Sequence, residues 1–194
     1  MEFQPLLEHI NQRVKLTSEE ESIITSRLKL RTFLKGQFVQ QAGDVSRHQY
    51  FITSGSTKTF YTDTDGNMHV VAMGIEDWWI GDICSFSNQL PADFHIQCLD
   101  QTTVIQIAYS DQEALFDEVP KLERYFRLVV QKAYGNMSLR IVRNHSMSAK
   151  ERYVLFLKSY PEIVQRVPQY VIASYLGITK EFLSSIRKQL STEA

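Results

Sequence analysis

Apolar positions change their spacing twice along the chain, and each change predicts a different kind of element. Over residues 1–29 the spacing is helical. "TSEEESIITSRLKL" offers Ser18 as an N-cap with Glu21 three positions on, a capping box ahead of an apolar stripe. From Leu30 to Ala108 the period shortens. Short runs rich in β-branched and aromatic residues ("LRTFL", "QFVQQ", "QYFIT", "STKTFYT", "HVVAMGI", "FHIQCL", "TTVIQIA") alternate with turn residues. Six of the eight glycines fall in this stretch, and they punctuate it. "TDTDGN" between two alternating runs predicts a hairpin, because Gly accepts the positive φ that such a turn needs. Many short strands at this spacing predict a sandwich or a barrel.

Helical spacing returns after Ala108. "SDQEALFDEV" predicts a short helix ending near Pro120, and "KLERYFRLVVQKAYGNMSLRIVRNH" a long one. In the long helix Phe126, Val130, Ala133, Met137 and Ile141 share a face, and Leu122, Val129 and Leu139 make the apolar surface wide or double. A helix apolar on two sides needs two things to pack against. One is the β-rich part of the chain; the other is the same helix of a second chain, unless the helix is simply a well-buried core element. Gly135 allows a close helix approach, at a cost of roughly 1 kcal/mol relative to Ala. Three more helices are expected in "SAKERYVLFLKSY", "PQYVIASYL" and "TKEFLSSIRKQL".

The last two of these meet the requirements of a helix-turn-helix. The turn needs a residue that accepts the αL conformation, and Gly177 supplies it. The close crossing needs a small residue four positions earlier, where Ala173 stands. Ile172, Leu176, Ile178, Leu183 and Ile186 fill the wedge between the helices. Thr179 takes the N-cap position of the second helix. That helix carries Lys180, Glu181, Ser184, Ser185, Arg187 and Lys188 on its outer side. Lys180 is suited to donate to guanine and Glu181 to accept from the cytosine amine. Ser184 and Ser185 reach a base or a phosphate, while Arg187 and Lys188 hold the backbone. A purely structural helical hairpin shares the apolar pattern but does not need the polar outer face.

Charge strengthens this reading. The net charge is −1, yet residues 1–119 hold 8 basic and 17 acidic residues and residues 120–194 hold 13 basic and 5 acidic. The basic part is a candidate for phosphate backbones; a solvated helical face is the plainer account. No apolar run approaches the ~18 residues that span a bilayer, and the N-terminus lacks a signal-peptide pattern. Cys84 and Cys98 are therefore expected to be reduced thiols in a cytoplasmic protein, too few for an iron–sulfur cluster. No metal-ligand spacing and no G-x-S-x-G, phosphate loop or H-E-x-x-H occurs, so an enzyme is not expected.

The order of these elements resembles the Crp/Fnr family of bacterial transcription regulators. "GQ…QAGD", "YFITSG" and "WIGDICSF" are similar to that family's opening barrel strands and the start of its phosphate-binding cassette. The likeness covers nearly the whole chain, in particular to the short members from Bacteroidetes-type bacteria. It implies an α+β fold: residues 1–119 as a jelly-roll barrel (a double-stranded β-helix) of the cyclic-nucleotide-binding type, 120–146 as a dimerisation helix, and 147–194 as a helix-turn-helix domain. It implies double-stranded DNA, a second copy of the chain and RNA polymerase as partners, with no membrane. It places an effector pocket at Gly81, Asp82, Ile83, Ser85, Phe86, Ala92 and Asp93. Members that sense cyclic AMP pair a Glu with the ribose and an Arg with the phosphate. Here Asp82 takes the Glu position, and no Lys or Arg occurs from Thr59 to Pro120. A buried phosphate without a cation is strongly disfavoured, so cyclic nucleotide binding is not expected, and an unidentified small-molecule effector stays open. Trp78, Trp79, Phe86 and Phe94 line an apolar pocket or belong to the core. Relatives often carry a β-hairpin wing, for which "SYPEIVQRVPQY" is too short, and an Arg where Ser185 stands. The alternative is a ligand-binding or protein-interaction module with a degenerate helix-turn-helix.

Overall fold

The computed structural model describes residues 2–193. Helices α1 (Gln4–Asn11) and α2 (Ser18–Ser26) open the chain. The capping box of α2 lies one residue earlier than the pattern suggests. Thr17, in extended backbone, accepts from Glu20 N, and the Glu20 carboxylate accepts from Thr17 N. Ser18 is already helical, and Glu21 is freed to accept from Asn11 Nδ2 at 2.8 Å, tying α2 to α1.

Eight strands follow: β1 (Lys29–Phe33), β2 (Phe38–Gln40), β3 (His48–Ser54), β4 (Thr57–Thr62), β5 (Met68–Gly74), β6 (Trp79–Ile80), β7 (His95–Cys98) and β8 (Thr102–Ala108). They form two antiparallel four-stranded sheets, ordered β1-β8-β3-β6 and β2-β7-β4-β5, the layout of a jelly roll. All seven alternating runs are strands. The sequence gives no sign of β6, whose two residues are too few to show a period, nor of the short helix α3 (Ile83–Asn88) that follows it. Phe33, Val39, Ile52, Ile80, Ile96 and Val104 fill the barrel. In the β4–β5 turn Gly66 adopts φ +85°, and the Asp63 carboxylate accepts from Asp65 N and Asn67 N.

Helix α4 (Tyr109–Glu118) leads into α5 (Lys121–Ser146). The root of α5 closes a second core with α1, α2, α4 and the outer side of the first sheet, built on Leu6, Ile10, Phe51, Ile105, Leu115 and Leu122. At its centre is Tyr125, fully buried. Trp79 Nε1 donates to the Tyr125 hydroxyl at 2.7 Å, and the hydroxyl shares a second hydrogen bond with His9 Nδ1 at 2.6 Å. Three distant segments thus share one polar chain whose members satisfy each other.

A third core joins the C-terminal helices to the barrel. Helices α6 (Ala149–Ser159), α7 (Pro161–Arg166), α8 (Gln169–Tyr175) and α9 (Lys180–Glu193) pack Tyr153, Phe156, Ile163, Val171, Leu183 and Ile186 together with Phe60, Val70 and Met73 of β4 and β5. The segment too short for a wing is helix α7, begun by Pro161 at a position where no N–H is needed. Strand β5 is a sheet edge, and α8 covers it. Ser174 Oγ accepts from Val70 N at 2.9 Å and donates to Met68 O at 3.2 Å. Arg140 of α5 donates to Val71 O and, at 2.9 Å, to Tyr175 O, and lies 3.9 Å over the Tyr175 ring.

Burial first, and then the charges of Arg13 and Lys132, push the pKa of His9 down from 6.5 to about 4. The folded protein therefore holds His9 neutral where the unfolded chain protonates it. Between pH 6.5 and 4 the unfolded state binds more protons, so stability falls as the pH drops through that window. Urea midpoints measured at pH 7.5, 6 and 5 should decline in that order, with a shallower decline in His9→Gln.

Candidate nucleic-acid interface and sensor cassette

The helix-turn-helix forms as its residue types require. Gly177 sits at φ +69°, and Ile178 N closes the turn on Ala173 O at 3.0 Å. Ile172, Ala173, Leu176, Leu183 and Ile186 are all buried, with Ile178 packed against them. Thr179 Oγ1 accepts from Phe182 N at 3.1 Å, so the second helix is capped by its side chain. Beyond the cap the helix splits into two faces. Leu183 and Ile186 point inward, while Lys180, Glu181, Ser184, Ser185, Arg187 and Lys188 are exposed. Among the described residues Lys180, Arg187 and Lys188 have no carboxylate within ion-pair distance, so their charges face solvent. Phe182 stands half-exposed beside them, an apolar group on this surface that the sequence reading passed over.

The cassette residues come together, but they are occupied with each other. Asp82 is 4% exposed. Its Oδ1 caps α3 by accepting from Ser85 N at 3.0 Å, and its Oδ2 accepts from Asp93 N at 3.1 Å. Ser85 Oγ donates to Leu90 O and accepts from Ser46 N. Ala92 is buried, its N–H donating to Asp44 O. Phe86 is buried against Tyr109. Gly81, Ile83 and Asp93 are exposed. The side-chain oxygens of Asp82 and Ser85 are thus engaged by backbone groups of the chain itself.

The four aromatics offered as a pocket lining disperse. Trp79 packs on Phe51 and Phe126, Trp78 on Tyr160 between α6 and α7, and Phe86 in the core, with Phe94 half-buried. The two histidines of the cation-free stretch are also engaged, His69 with Asp63 at 2.7 Å and His95 Nδ1 as acceptor from Ala42 N.

On α5, Val130, Ala133, Met137 and Ile141 are exposed, and so are Tyr134, Leu139 and Val142. Phe126 departs from the expected set: it packs within its own chain on Trp79, Phe116 and Tyr125.

Residues 30–119 match the model of the cyclic nucleotide-binding domain family. The chain is 27% identical over 167 residues to the fumarate and nitrate reduction regulatory protein of Vibrio cholerae, covering 78% of this chain and 64% of that relative's length. It is 24% identical to the regulatory protein HlyX of Actinobacillus pleuropneumoniae, covering 78% of this chain and 67% of the relative. Its fold is similar to that of the c-di-GMP-responsive global regulator CLP of Xanthomonas campestris (TM-score 0.74, 16% identity, 91% and 93% of the two chains). FixK2 of Bradyrhizobium japonicum gives a TM-score of 0.75 at 15% identity, over 86% and 85%. No helix among the described residues is long and apolar enough to cross a membrane.

Asp82→Ala removes the acceptor of two backbone N–H groups and should cost about 1–2 kcal/mol in urea unfolding. Calorimetry with cyclic AMP should show no saturable heat for the variant or for the unaltered chain.

Proposed function

We propose that this chain, a member of the Crp/Fnr family, is a homodimeric transcription regulator that binds double-stranded DNA through α9. The observation that carries the reading is the division of α9: one side buried in the third core, the other exposed, with Lys180, Arg187 and Lys188 unpaired among the described residues. The N-terminal turn, capped by Thr179, enters the major groove, with Lys180, Glu181, Ser184 and Ser185 toward base edges and Arg187 and Lys188 toward phosphates. Residues 1–119 serve as sensor, 120–146 as coupling helix and 147–194 as reading domain. Because the chain spans 64% of the length of the Vibrio relative, these roles are inferred for the part described.

The exposed surface of Val130, Ala133, Met137 and Ile141 supplies the dimer contact. Pairing α5 with its copy removes apolar side chains from water and sets two copies of α9 about one DNA turn apart, ~34 Å, which calls for a roughly palindromic site. The barrel does not take cyclic AMP in the family's usual way, since its Asp82 is committed to the loop and no cation faces it. A signal shifts the balance of helix arrangements only through differential affinity for them.

The second reading, an interaction module whose helix-turn-helix no longer reads sequence, draws on Ser185 in place of an Arg and on helix α7 in place of a wing. Fluorescence polarisation with duplex DNA from upstream of the coding region separates the two. A regulator shows a steep salt slope and resists nonspecific competitor; Lys188→Ala weakens binding across sequences and lowers the slope by about 1. Equal affinity for every duplex supports the module. Independently, Met137→Glu should turn a dimer into a monomer in analytical ultracentrifugation without moving the urea midpoint of the barrel.

A further inference from the structure

We infer that the cleft between the α1–α2 connection and the root of α5 is a binding site for a small di- or oligophosphate anion. The cleft measures ≈ 260 Å³ and is lined by Arg13, Val14, Lys15, Lys121 and Arg124. Four of its five lining residues are cations. They come from two segments more than a hundred positions apart, so the fold alone assembles them.

Their partners do not balance them. Lys121 Nζ meets Glu20 Oε2 at 2.8 Å. Arg13 donates to His9 O at 2.8 Å and lies 6.0 Å from the centre of the Tyr125 ring. Lys15 and Arg124 have no carboxylate within ion-pair distance among the described residues. Four positive charges thus surround one carboxylate, well within a Debye length of each other. The first turn of α5, which carries Lys121 and Arg124, adds the positive end of a 26-residue helix. The pKa of neighbouring His9, lowered first by burial, is lowered further by the charge of Arg13.

A multivalent anion relieves this repulsion. Two guanidinium forks and two ammonium groups suit phosphate oxygens. The volume lies just under the ~300–1,000 Å³ of pockets for drug-sized ligands, which favours a compact anion. An occupant would bridge the α1–α2 connection to the root of α5. It would also press on Arg13 above Tyr125, the hub that reaches Trp79 beside the cassette. Charge would then be sensed outside a barrel whose own polar groups are already engaged.

The test is isothermal titration calorimetry of the full chain with inorganic pyrophosphate, without divalent metal or DNA, so it stands apart from the DNA-binding reading. We expect one-site binding with Kd below about 1 mM. The double variant Lys15→Gln/Arg124→Gln should weaken it roughly tenfold or more, and Lys180→Gln/Lys188→Gln on α9 should leave it unchanged. A parallel titration with ADP distinguishes a nucleotide from a free oligophosphate; saturable binding of either that the cleft variant loses supports the site. No saturable heat with either anion, equal binding in the cleft variant, or loss in the α9 variant overturns it.

Discussion

The free backbone edge of β5 has to be covered. An exposed edge strand presents unpaired N–H and C=O groups to any other chain. Here one hydroxyl, that of Ser174, takes the N–H of Val70 and returns a hydrogen bond to the carbonyl of Met68, while Arg140 takes the carbonyl of Val71. This lays α8 along the edge, and α8 can lie there because Val171, Ile172 and Ala173 put an apolar stripe on the same side. Once α8 is fixed, the tight turn at Gly177 leaves α9 one course. Its apolar side closes the third core and its charged side faces away from the barrel.

Helix α5 connects the two ends of this arrangement. Its root is anchored by Leu122 and Tyr125 in the second core, and Arg140, five turns on, touches both β5 and Tyr175. Between these anchors the helix leaves apolar side chains in water, a state that a second copy of the chain would relieve. One helix thus ties the second core to the place where α8 is held against β5. The same helix supplies two of the cations in the cleft, so the proposed anion site and the proposed dimer contact share one rigid element.

The barrel matches the cyclic nucleotide-binding domain family, and its cassette carboxylate is committed to its own loop. Asp82 sits where a carboxylate is wanted, yet both its oxygens are taken by backbone N–H groups. A buried carboxylate satisfied by its own loop gains nothing by releasing those bonds to a ligand that brings more negative charge.

Much of the molecule was legible in the chain because it depends on neighbours in sequence. Seven strand runs, the Gly66 turn, the Gly177 turn and the Thr179 cap follow from period and from residue types a few positions apart. Even the one-residue error at Thr17 is of that kind, since Thr17/Glu20 and Ser18/Glu21 are both chemically valid boxes and only the backbone chooses. What tertiary structure decided were juxtapositions across long separations: Tyr125 with His9 and Trp79, Ser174 with β5, Phe126 turned inward onto Trp79, and Arg13 and Lys15 lining one cleft with Arg124. Such pairs leave no periodic trace in a sequence. They are set by which apolar faces meet and which buried polar groups find partners across them, and those conditions apply to the folded whole.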